Sequence, residues 1–432
     1  MKKITTATLI ILAMSYVSYA QINRCAFGHS IEVKDYGGCP FRLMASVRTE
    51  IDDDSASAKF WARVETKSGT GFYDDMRNEP IRDKEWNTYT IEGQIDTGAI
   101  NLFFGAVCQF NGKFYFDDIT IEVENPQNHW EKVFTDDFEK DTAGLEPGSQ
   151  RWWKSGNVNN FNAEIYKDNT VEKDNCLLVT GKGVPIWGIN SRAGKFASVN
   201  GIQLYYETYG EGQPLVMLHG NNGSIGLAGP FYPYFIDKKY KVIAVDARAH
   251  GKSGDSDAEL TYDLMASDIN ELLDQLDTDS VYLFGHSDGA IVGLILAMKH
   301  PDKIKKLVAF GANLVPDTSA VEPLLIEYGT RIVSTIEDPV AQKRMTMALK
   351  YPNIPYSDLN TVQCEVLVMS GDRDFIRLPH TIRIFENIPK SNLCIIPGTT
   401  HMAPWEKKDL FLKLVTDFFE KPFMMPGSLD GF

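Results

Sequence analysis

The stretch that decides the fold of the second half of the chain is Gly285-His286-Ser287-Asp288-Gly289. It follows an apolar run at residues 281–284, which is typical of a buried strand, and it precedes a helical pattern at 290–299. Glycines two residues before and two residues after the serine allow a sharp bend between strand and helix. Because such a turn projects the serine hydroxyl above the sheet, the stretch predicts Ser287 as a nucleophile.

A glycine-rich loop, His219-Gly220-Asn221-Asn222-Gly223, lies upstream of this turn. It follows the strand-like run 214–218, and a loop of this kind can direct backbone N–H groups at an oxygen that becomes negatively charged. The backbone amides of Asn221 and Asp288 are the predicted oxyanion-hole donors. We expect His219 to brace the loop through hydrogen bonds rather than to transfer protons.

Two downstream loops supply an acid and a base. The strand-like run 366–369 leads into Ser370-Gly371-Asp372-Arg373-Asp374, and the run 393–396 leads towards Gly398-Thr399-Thr400-His401-Met402. His401 is predicted to take the proton of Ser287 and to return it to the leaving group. Either Asp374 or Asp372 is a candidate to orient the histidine ring.

Strands alternate with amphipathic helices from about residue 191 onward, which indicates a parallel sheet covered on both faces. In this context, the order serine, acid, histidine resembles the α/β-hydrolase family over residues 191–421. Residues 246–253 also look like a characteristic loop of that family, although Ala249 stands where the family usually has glycine. The resemblance implies an α/β-hydrolase fold and Asp374 as the acid in preference to Asp372. The triad chemistry requires no metal or organic cofactor.

Residues 313–360 interrupt the alternation and carry extra helical patterns at 320–336 and 340–350. We expect these residues to form a short helical cap over the carboxyl ends of the strands, where open α/β sheets bind ligands. A cap of this size favours modest substrates over long polymers in the pocket.

The fold does not select the reaction by itself. The preferred hypothesis is an ester hydrolase that forms an acyl-enzyme intermediate. A serine aminopeptidase or amidase with the same triad is an alternative, for which Asp288 and Glu327 are the candidate anchors of a substrate amino group. A noncatalytic glycan-binding protein is a further alternative, but the complete set Ser287, Asp374 and His401 argues against it.

Residues 21–190 lack long helical patterns, and short alternating or aromatic runs separated by Gly, Asn and Asp turns indicate an all-β domain. A jelly-roll-like β-sandwich is the simplest expectation. This half resembles the galactose-binding-like sandwiches that accompany many bacterial hydrolases, through Trp86, Tyr89, Ile91, Gly93, Gly105 and Phe116-Asp117-Asp118-Ile119. A small ester substrate and a polysaccharide contacted by this half are therefore the expected partners.

Exposed aromatic rings of this half would stack on sugars, and the candidates are Trp61, Phe72, Tyr73, Trp152 and Trp153. Core packing is expected for most of them, because aromatic side chains are the main filling of small sandwiches. Asp117 and Asp118 could hold calcium, but we expect them to accept hydrogen bonds from turn amides. The sequence thus predicts no metal site.

The chain has 432 residues, which is too long for one ordinary core and indicates two domains. Hydrophobic residues make up 43% and charged residues 23%, which argues against disorder and against a membrane bundle. The formal charge of -15, with no compensating Lys and Arg cluster, makes nucleic acid an unexpected partner.

Residues 1–20 are typical of a secretory signal, with Lys2 and Lys3, an apolar stretch at 9–14 and small residues before Gln21. We expect an exported protein, periplasmic or extracellular, whose mature chain has no membrane span and ends in a tail at 422–432. Export makes disulfides possible. Four of the six cysteines lie in the N-terminal half, and Cys25 with Cys39 is the favoured pair. Cys364 and Cys394 lie in apolar runs and are expected to be reduced.

Overall fold

The computed structural model describes residues 23–51, 55–76, 78–125, 127–139, 152–156, 159–167 and 175–424. The predicted signal at 1–20 and residues 425–432 of the predicted tail lie outside the described residues. The chain divides into two compact units, with the boundary between Ile186 and Trp187.

This boundary lies slightly before the one predicted at residue 190, because the intervening residues pack on the C-terminal unit. The indole of Trp187 meets the ring of Tyr209 at a centroid distance of 4.7 Å. The amides of Gly188 and Asn190 donate hydrogen bonds to the buried carboxylate of Glu207, at 2.7 and 2.9 Å. Residues 187–190 therefore belong to the second unit.

The described part of the N-terminal unit is built from strands. They are β1 (Arg24–Glu32), β2 (Pro40–Ile51), β3 (Ser57–Thr66), β4 (Gly69–Asp74), β5 (Asn87–Gln94), β6 (Ala99–Gln109), β7 (Gly112–Glu124), β8 (Trp130–Asp136), β9 (Trp153–Gly156), β10 (Phe161–Lys167) and β11 (Asn175–Gly181), with a short 3-10 helix at Lys34–Tyr36. One sheet has the order β4-β3-β6-β1-β9, and the other has the order β10-β11-β7-β2-β5 with β8 paired to β7. All of these pairings are antiparallel.

The two sheets share an apolar core. Buried and less buried residues alternate along β2, as expected for a strand with one face on the core. Phe27 of one sheet packs edge-on against Phe116 of the other, with ring centroids 5.1 Å apart. The all-β prediction for this unit is confirmed, whereas its jelly-roll-like and galactose-binding-like assignments stay predictions.

The expected disulfide between Cys25 and Cys39 is wrong, because both cysteines are free thiols. Cys25 lies in β1, directly opposite Cys108 of β6, whereas Cys39 immediately precedes β2 in the other sheet. Burial raises the pKa of the Cys25 thiol to about 11, which keeps it protonated. Cys25 and Cys39 thus fill space in the sandwich core as small apolar side chains.

Two of the candidate sugar-binding aromatics pack in or against the core: Trp152 is buried within it, and the half-buried Phe72 packs against it. Trp152 is 3% exposed, and Phe72 packs edge-on against Phe41 at 5.2 Å. Asp117 and Asp118 lie within β7 and not in a turn, at an irregularity in its pairing with β2, where Asp117 accepts a hydrogen bond from the amide of Asp118 at 2.7 Å. Within the described residues, no cluster of three or more His, Cys, Asp or Glu side chains is arranged to hold a metal ion.

The C-terminal unit alternates strands and helices. The strands are β12 (Gly194–Val199), β13 (Ile202–Tyr209), β14 (Gln213–Leu218), β15 (Tyr240–Val245), β16 (Val281–His286), β17 (Ile304–Phe310), β18 (Glu365–Gly371) and β19 (Ser391–Ile396). The α-helices are α1 (Ile225–Ala228), α2 (Tyr232–Asp237), α3 (Tyr262–Gln275), α4 (Asp288–Lys299), α5 (Pro323–Ile332), α6 (Pro339–Lys350), α7 (Leu378–Glu386), α8 (Ala403–Glu406) and α9 (Lys408–Glu420). Short 3-10 helices lie at Gly229–Phe231, Val333–Thr335 and Tyr356–Thr361.

These eight strands form one sheet of order β12-β13-β15-β14-β16-β17-β18-β19. The pairings from β15 to β19 are parallel, and β12 and β13 join antiparallel at one edge. Side chains such as Leu272 and Ile291 belong to one core cluster, and Phe235 and Phe411 belong to a second. The predicted α/β fold is confirmed, and it brings the loops after β14, β16, β18 and β19 to one edge of the sheet.

Helices α5 and α6 lie in the chain between β17 and β18, within the segment predicted as a cap. Contacts of α6 reach the loops after β14 and β15, so this helix lies over the carboxyl ends of those strands. Among the described residues, no helix has the length and apolar character needed to cross a membrane.

Candidate active site

Ser287 occupies the turn between β16 and α4 in a strained conformation, with φ 55° and ψ -118°. Its amide donates to the carbonyl of Phe310 at 2.8 Å, and its carbonyl accepts from the amide of Ala290 at 2.8 Å. A non-glycine residue in such a region costs about 1–3 kcal/mol and persists only where its surroundings hold it. This strained conformation is consistent with the prediction of Ser287 as the nucleophile.

The two flanking glycines are required by close backbone contacts. A Cβ on Gly285 would lie 2.2 Å from the carbonyl oxygen of Gly289, and a Cβ on Gly289 would lie 2.4 Å from that of Leu218. Both distances are impossible for real Cβ atoms. The sequence reasoning about small residues at these positions thus has a direct steric basis.

His401 and Asp374 form a hydrogen-bonded pair beside this turn. The Nδ1 atom of His401 lies 2.8 Å from Oδ1 of Asp374, and both side chains are buried. The backbone carbonyl of His401 lies 2.9 Å from Nε2 of His286, the residue that precedes the nucleophile. Among the described residues, the buried Nε2 of His401 has no hydrogen-bond partner, which leaves it available to a proton donor in the site.

Asp374 is held as a carboxylate. Burial by itself raises its pKa, but the neighbouring His401 and hydrogen bonds from the Ile376 amide and the Ser370 hydroxyl together lower the pKa below its ordinary value. An ionised Asp374 accepts the Nδ1–H of His401, which leaves Nε2 as the basic nitrogen. This is the arrangement that a general base requires.

Asp372, the rival acid, does not contact the histidine ring. Its carboxylate accepts a hydrogen bond from the amide of Thr399 at 3.1 Å, and backbone hydrogen bonds from Gly398 and Thr399 lower its pKa. Its side chain is exposed. The structure therefore brings Asp374, and not Asp372, to His401.

The upstream loop lies against Ser287, since a Cβ on Gly220 would lie 2.9 Å from Cβ of Ser287. His219 braces this loop: its Nδ1 lies 2.8 Å from the Gly220 carbonyl, and its Nε2 accepts the Ala247 amide at 3.1 Å. Burial lowers the pKa of His219 to about 4, so the ring is neutral at pH 7. The Asn221 and Asp288 amides stay the predicted oxyanion donors.

The carboxylate of Asp288 is a second feature of the site. Its Oδ1 accepts a hydrogen bond from the hydroxyl of Tyr262 at 2.9 Å, whereas its buried Oδ2 has no partner among the described residues. Burial raises the pKa of Asp288 to about 6. By contrast Glu327, the other candidate amino-group anchor, is exposed on α5.

Sequence reasoning missed several residues around the triad. Phe375 packs against the ring of His401 in a tilted arrangement, with a centroid distance of 4.0 Å, and a Cβ on Gly311 would lie 2.6 Å from Cε1 of the histidine ring. Arg344 of the cap helix α6 contacts the loops after β14 and β15. Phe375 follows the acid directly in sequence, but no local pattern marks Gly311 or Arg344.

This fold and site define a hydrolase of the α/β class, and comparison with known proteins agrees. The family model described as alpha/beta hydrolase fold matches residues 213–342. The chain is 30% identical to the serine hydrolase BPHL of Mus musculus over 273 residues, which cover 57% of this chain and 93% of that protein. The chain belongs to the α/β-hydrolase family.

Other similar proteins carry different names. A 2-hydroxy-6-oxononadienedioate/2-hydroxy-6-oxononatrienedioate hydrolase of Comamonas testosteroni is 24% identical over 276 residues, which cover 53% of this chain and 96% of that protein. The crystal structure of an enol-lactonase from Burkholderia xenovorans LB400 is 18% identical and covers 52% of this chain and 100% of its own, with a TM-score of 0.45. Because the two sequence relatives have such different names, the reaction has to be argued from the site.

Proposed function

We propose that this protein is a serine hydrolase that cleaves carboxylic esters through an acyl-enzyme on Ser287. The observation that carries the proposal is the strained Ser287 turn beside the buried Asp374–His401 pair. A serine hydroxyl is a poor nucleophile by itself and needs an adjacent base that a third group orients.

In the first half-reaction, Nε2 of His401 accepts the hydroxyl proton of Ser287 while Oγ bonds to the ester carbonyl carbon. The negative charge that develops on the carbonyl oxygen is stabilised by the amides of Asn221 and Asp288. The imidazolium then gives its proton to the departing alkoxide, which leaves as the alcohol. Water repeats the sequence on the acyl-enzyme and releases the carboxylic acid, so that Ser287 and neutral His401 are restored.

The test is a fluorophosphonate probe followed by a substrate panel. The panel contains esters of short and medium acyl chains, the matching amides and 2-hydroxy-6-oxononadienedioate. Ester turnover well above amide turnover supports the proposal. Turnover of the dienedioate alone would assign a different reaction to the same triad.

A second candidate, a hydrolase of substrates that carry an amino group, is favoured by the unpartnered Oδ2 of Asp288. A buried carboxylate oxygen without a partner is costly, and a substrate ammonium would satisfy it. The Asp288 carboxylate also interacts electrostatically with His401, which links it to the site.

We therefore expect Asp288→Asn to lower kcat/KM for an α-amino ester by roughly 10- to 100-fold, since a hydrogen bond to a charged group is worth about 1.5–3 kcal/mol. Its activity on the ester without the amino group should change little. Because the carboxylate has a pKa of about 6, wild-type preference for the amino ester should fall as the pH drops through 6. Glu327→Gln is the control, and equal losses on both esters would remove Asp288 from the role of anchor.

We also propose that the N-terminal unit contacts a polysaccharide through two tryptophans on the outer face of its five-stranded sheet. The register places Trp61, Gly105, Gly28 and Trp153 in one row across four strands. A Cβ on Gly28 would lie 2.5 Å from the ring of Trp153 and 2.8 Å from that of Trp61, so the two indoles meet above a glycine. Their ring centroids are 5.7 Å apart.

This pair suits a sugar chain because an indole offers a flat apolar face on which the axial hydrogens of a sugar ring can rest. Trp153 is 37% exposed, and Tyr73, which pairs with Arg63 next to Trp61 on β3, is 53% exposed. The opposite face of the same strands carries core residues such as Phe27 and Phe60. The aromatic side chains on the outer face therefore do not contribute to the core of the sandwich.

Replacement of both Trp61 and Trp153 by alanine should reduce retention of the protein on insoluble polysaccharides at least tenfold and leave hydrolysis of a small soluble ester unchanged. Trp130, which is 40% exposed on the other sheet, provides the control variant Trp130→Ala. Pull-downs on neutral and acidic polysaccharides measure the effect. Wild-type protein that binds neither type, or equal losses in the control, would contradict the proposal.

A further inference from the structure

Arg344 connects the cap to two loops of the catalytic sheet. It lies in the middle of α6, and its Nε donates to Oδ1 of Asn222 at 3.1 Å. Its Nη1 donates to the carbonyl of Ala249 at 2.6 Å. In return, the side-chain amide of Asn221 donates to the backbone carbonyl of Arg344 at 3.4 Å. One residue of the cap therefore bonds to the loop after β14 and to the loop after β15.

The two residues that accept hydrogen bonds from Arg344 both have a strained backbone conformation. Asn222 has φ 55° and Ala249 has φ 61°, which is the left-handed region that favours glycine. Ala249 occupies the position where the family usually has glycine, so it carries strain that a glycine would avoid. Such conformations persist where surrounding contacts over-determine them, and Arg344 supplies a charged hydrogen bond at each of the two positions.

The loop that Arg344 holds carries the predicted oxyanion donor. Asn221 lies between Gly220, which packs against Ser287, and Asn222, which accepts from the guanidinium. His219 braces the same loop from the sheet side. The position of the Asn221 amide is thus set by the sheet through His219 and by the cap through Arg344.

The neighbouring lysine of α6 makes a different contact. Lys343 binds the carboxylate of Asp255 at 2.9 and 3.0 Å, further along the loop after β15. Lys343 lies in the same helix as Arg344, is buried to a similar degree and forms an ion pair of its own. Within the described residues, it makes no hydrogen bond to residues 219–223. Lys343 is therefore a matched control, because its replacement removes a contact between the cap and the loop after β15 but no contact to residues 219–223.

We propose that Arg344 is a positioning residue that sets the oxyanion hole from the cap, so that the cap must be seated on the sheet for the hole to be formed. The inference rests on the ester hydrolase function proposed above. It implies that seating of the cap controls kcat through the hole, in addition to enclosing the substrate.

The test compares Arg344→Gln, Arg344→Lys and Lys343→Gln in the full chain. Complete loss of one oxyanion donor typically lowers kcat by ~10²–10³. A donor that is misplaced should lower kcat less than a donor that is missing. Arg344→Gln should therefore lower kcat by roughly 10- to 100-fold, with KM changed no more than about twofold. Arg344→Lys should recover only part of the loss, because a single ammonium does not reproduce the fork of the guanidinium. Lys343→Gln should leave kcat within about twofold of the wild type.

Two further readouts separate positioning from a general structural effect. Sulfur accepts hydrogen bonds poorly, so an enzyme with an intact oxyanion hole turns over an ester faster than the matching thionoester. The ratio of these two rates should fall in Arg344→Gln and stay unchanged in Lys343→Gln. Hydrogen exchange of a peptide that spans residues 219–223 should increase in Arg344→Gln alone, and this measurement needs no turnover.

Unchanged exchange in Arg344→Gln would overturn the inference whatever the substrate. An increase in KM alone, or equal effects in the two Gln variants, would also overturn it. If wild-type protein hydrolyses no ester but Arg344→Gln still loosens residues 219–223, the proposed function fails and the link between cap and loop stands.

Discussion

Ser287→Ala is expected to abolish covalent labelling by a fluorophosphonate and to reduce ester turnover to the ~10³–10⁴-fold acceleration over water that binding and an oxyanion hole retain. The expectation follows from the turn between β16 and α4, where Ser287 is held at φ 55° and the preceding residue, His286, contacts the backbone carbonyl of His401. Alanine removes only the hydroxyl and keeps the turn, so the fold should be unaffected. The measurement is labelling of purified protein together with kcat on a small ester.

Ser319→Ala is the matched control for this experiment, since Ser319 is an exposed serine in the segment between β17 and β18. It should label and turn over like the wild type. Labelling of the Ser287→Ala protein at another serine would transfer the role of nucleophile elsewhere.

Asp374→Asn is expected to lower kcat by a factor of ~10⁴, because an amide at this position no longer fixes the histidine tautomer whose Nε2 is basic. The carboxylate of Asp374 lies 2.8 Å from Nδ1 of His401 and is kept ionised by that histidine and by the hydrogen bonds from Ile376 and Ser370. His401→Ala should be nearly as damaging as loss of the serine, since an unassisted hydroxyl is a weak nucleophile.

Asp372→Asn is the matched control for Asp374→Asn. Asp372 lies two residues before Asp374 in the same loop, but its carboxylate accepts a hydrogen bond from the amide of Thr399. We expect its kcat to stay within about threefold of the wild type, as is usual for a group that contacts no reacting residue. Steady-state kinetics on one ester decide the ranking. A larger loss in Asp372→Asn than in Asp374→Asn would assign the acid role to Asp372.

The local part of the site could be predicted from the sequence because it depends on neighbours in the chain. A strand, a serine between two glycines and a helix form one continuous turn, and the close contact of Gly285 with Gly289 explains why larger residues are excluded there. The loop after β14 is equally local. The predicted strand runs 214–218, 281–284, 366–369 and 393–396 agree with β14, β16, β18 and β19 to within a few residues, because buried parallel strands are continuous apolar runs. The two antiparallel strands β12 and β13 were not predicted.

The choice between Asp374 and Asp372 could not be made from the residues alone, since both follow the same strand. It depends on how the loops after β18 and β19 approach each other, which is a tertiary contact between residues 27 positions apart. The boundary between the units has a similar origin. Trp187 belongs to the second unit because its ring packs on Tyr209, a contact that no local pattern announces.

By itself, the sequence determined that the second half is an α/β fold and that Ser287 lies at a strained strand-to-helix turn, because apolar periodicity and glycine spacing act over a few residues. Only the tertiary structure decided which cysteine faces Cys25, which tryptophans lie on the outer face of a sheet and which cap residue reaches the oxyanion loop. Strand register and side-chain packing join residues that are far apart in the chain. Arg344 meets Asn222 across 122 positions, and such a pairing exists only once the sheet and the cap have formed.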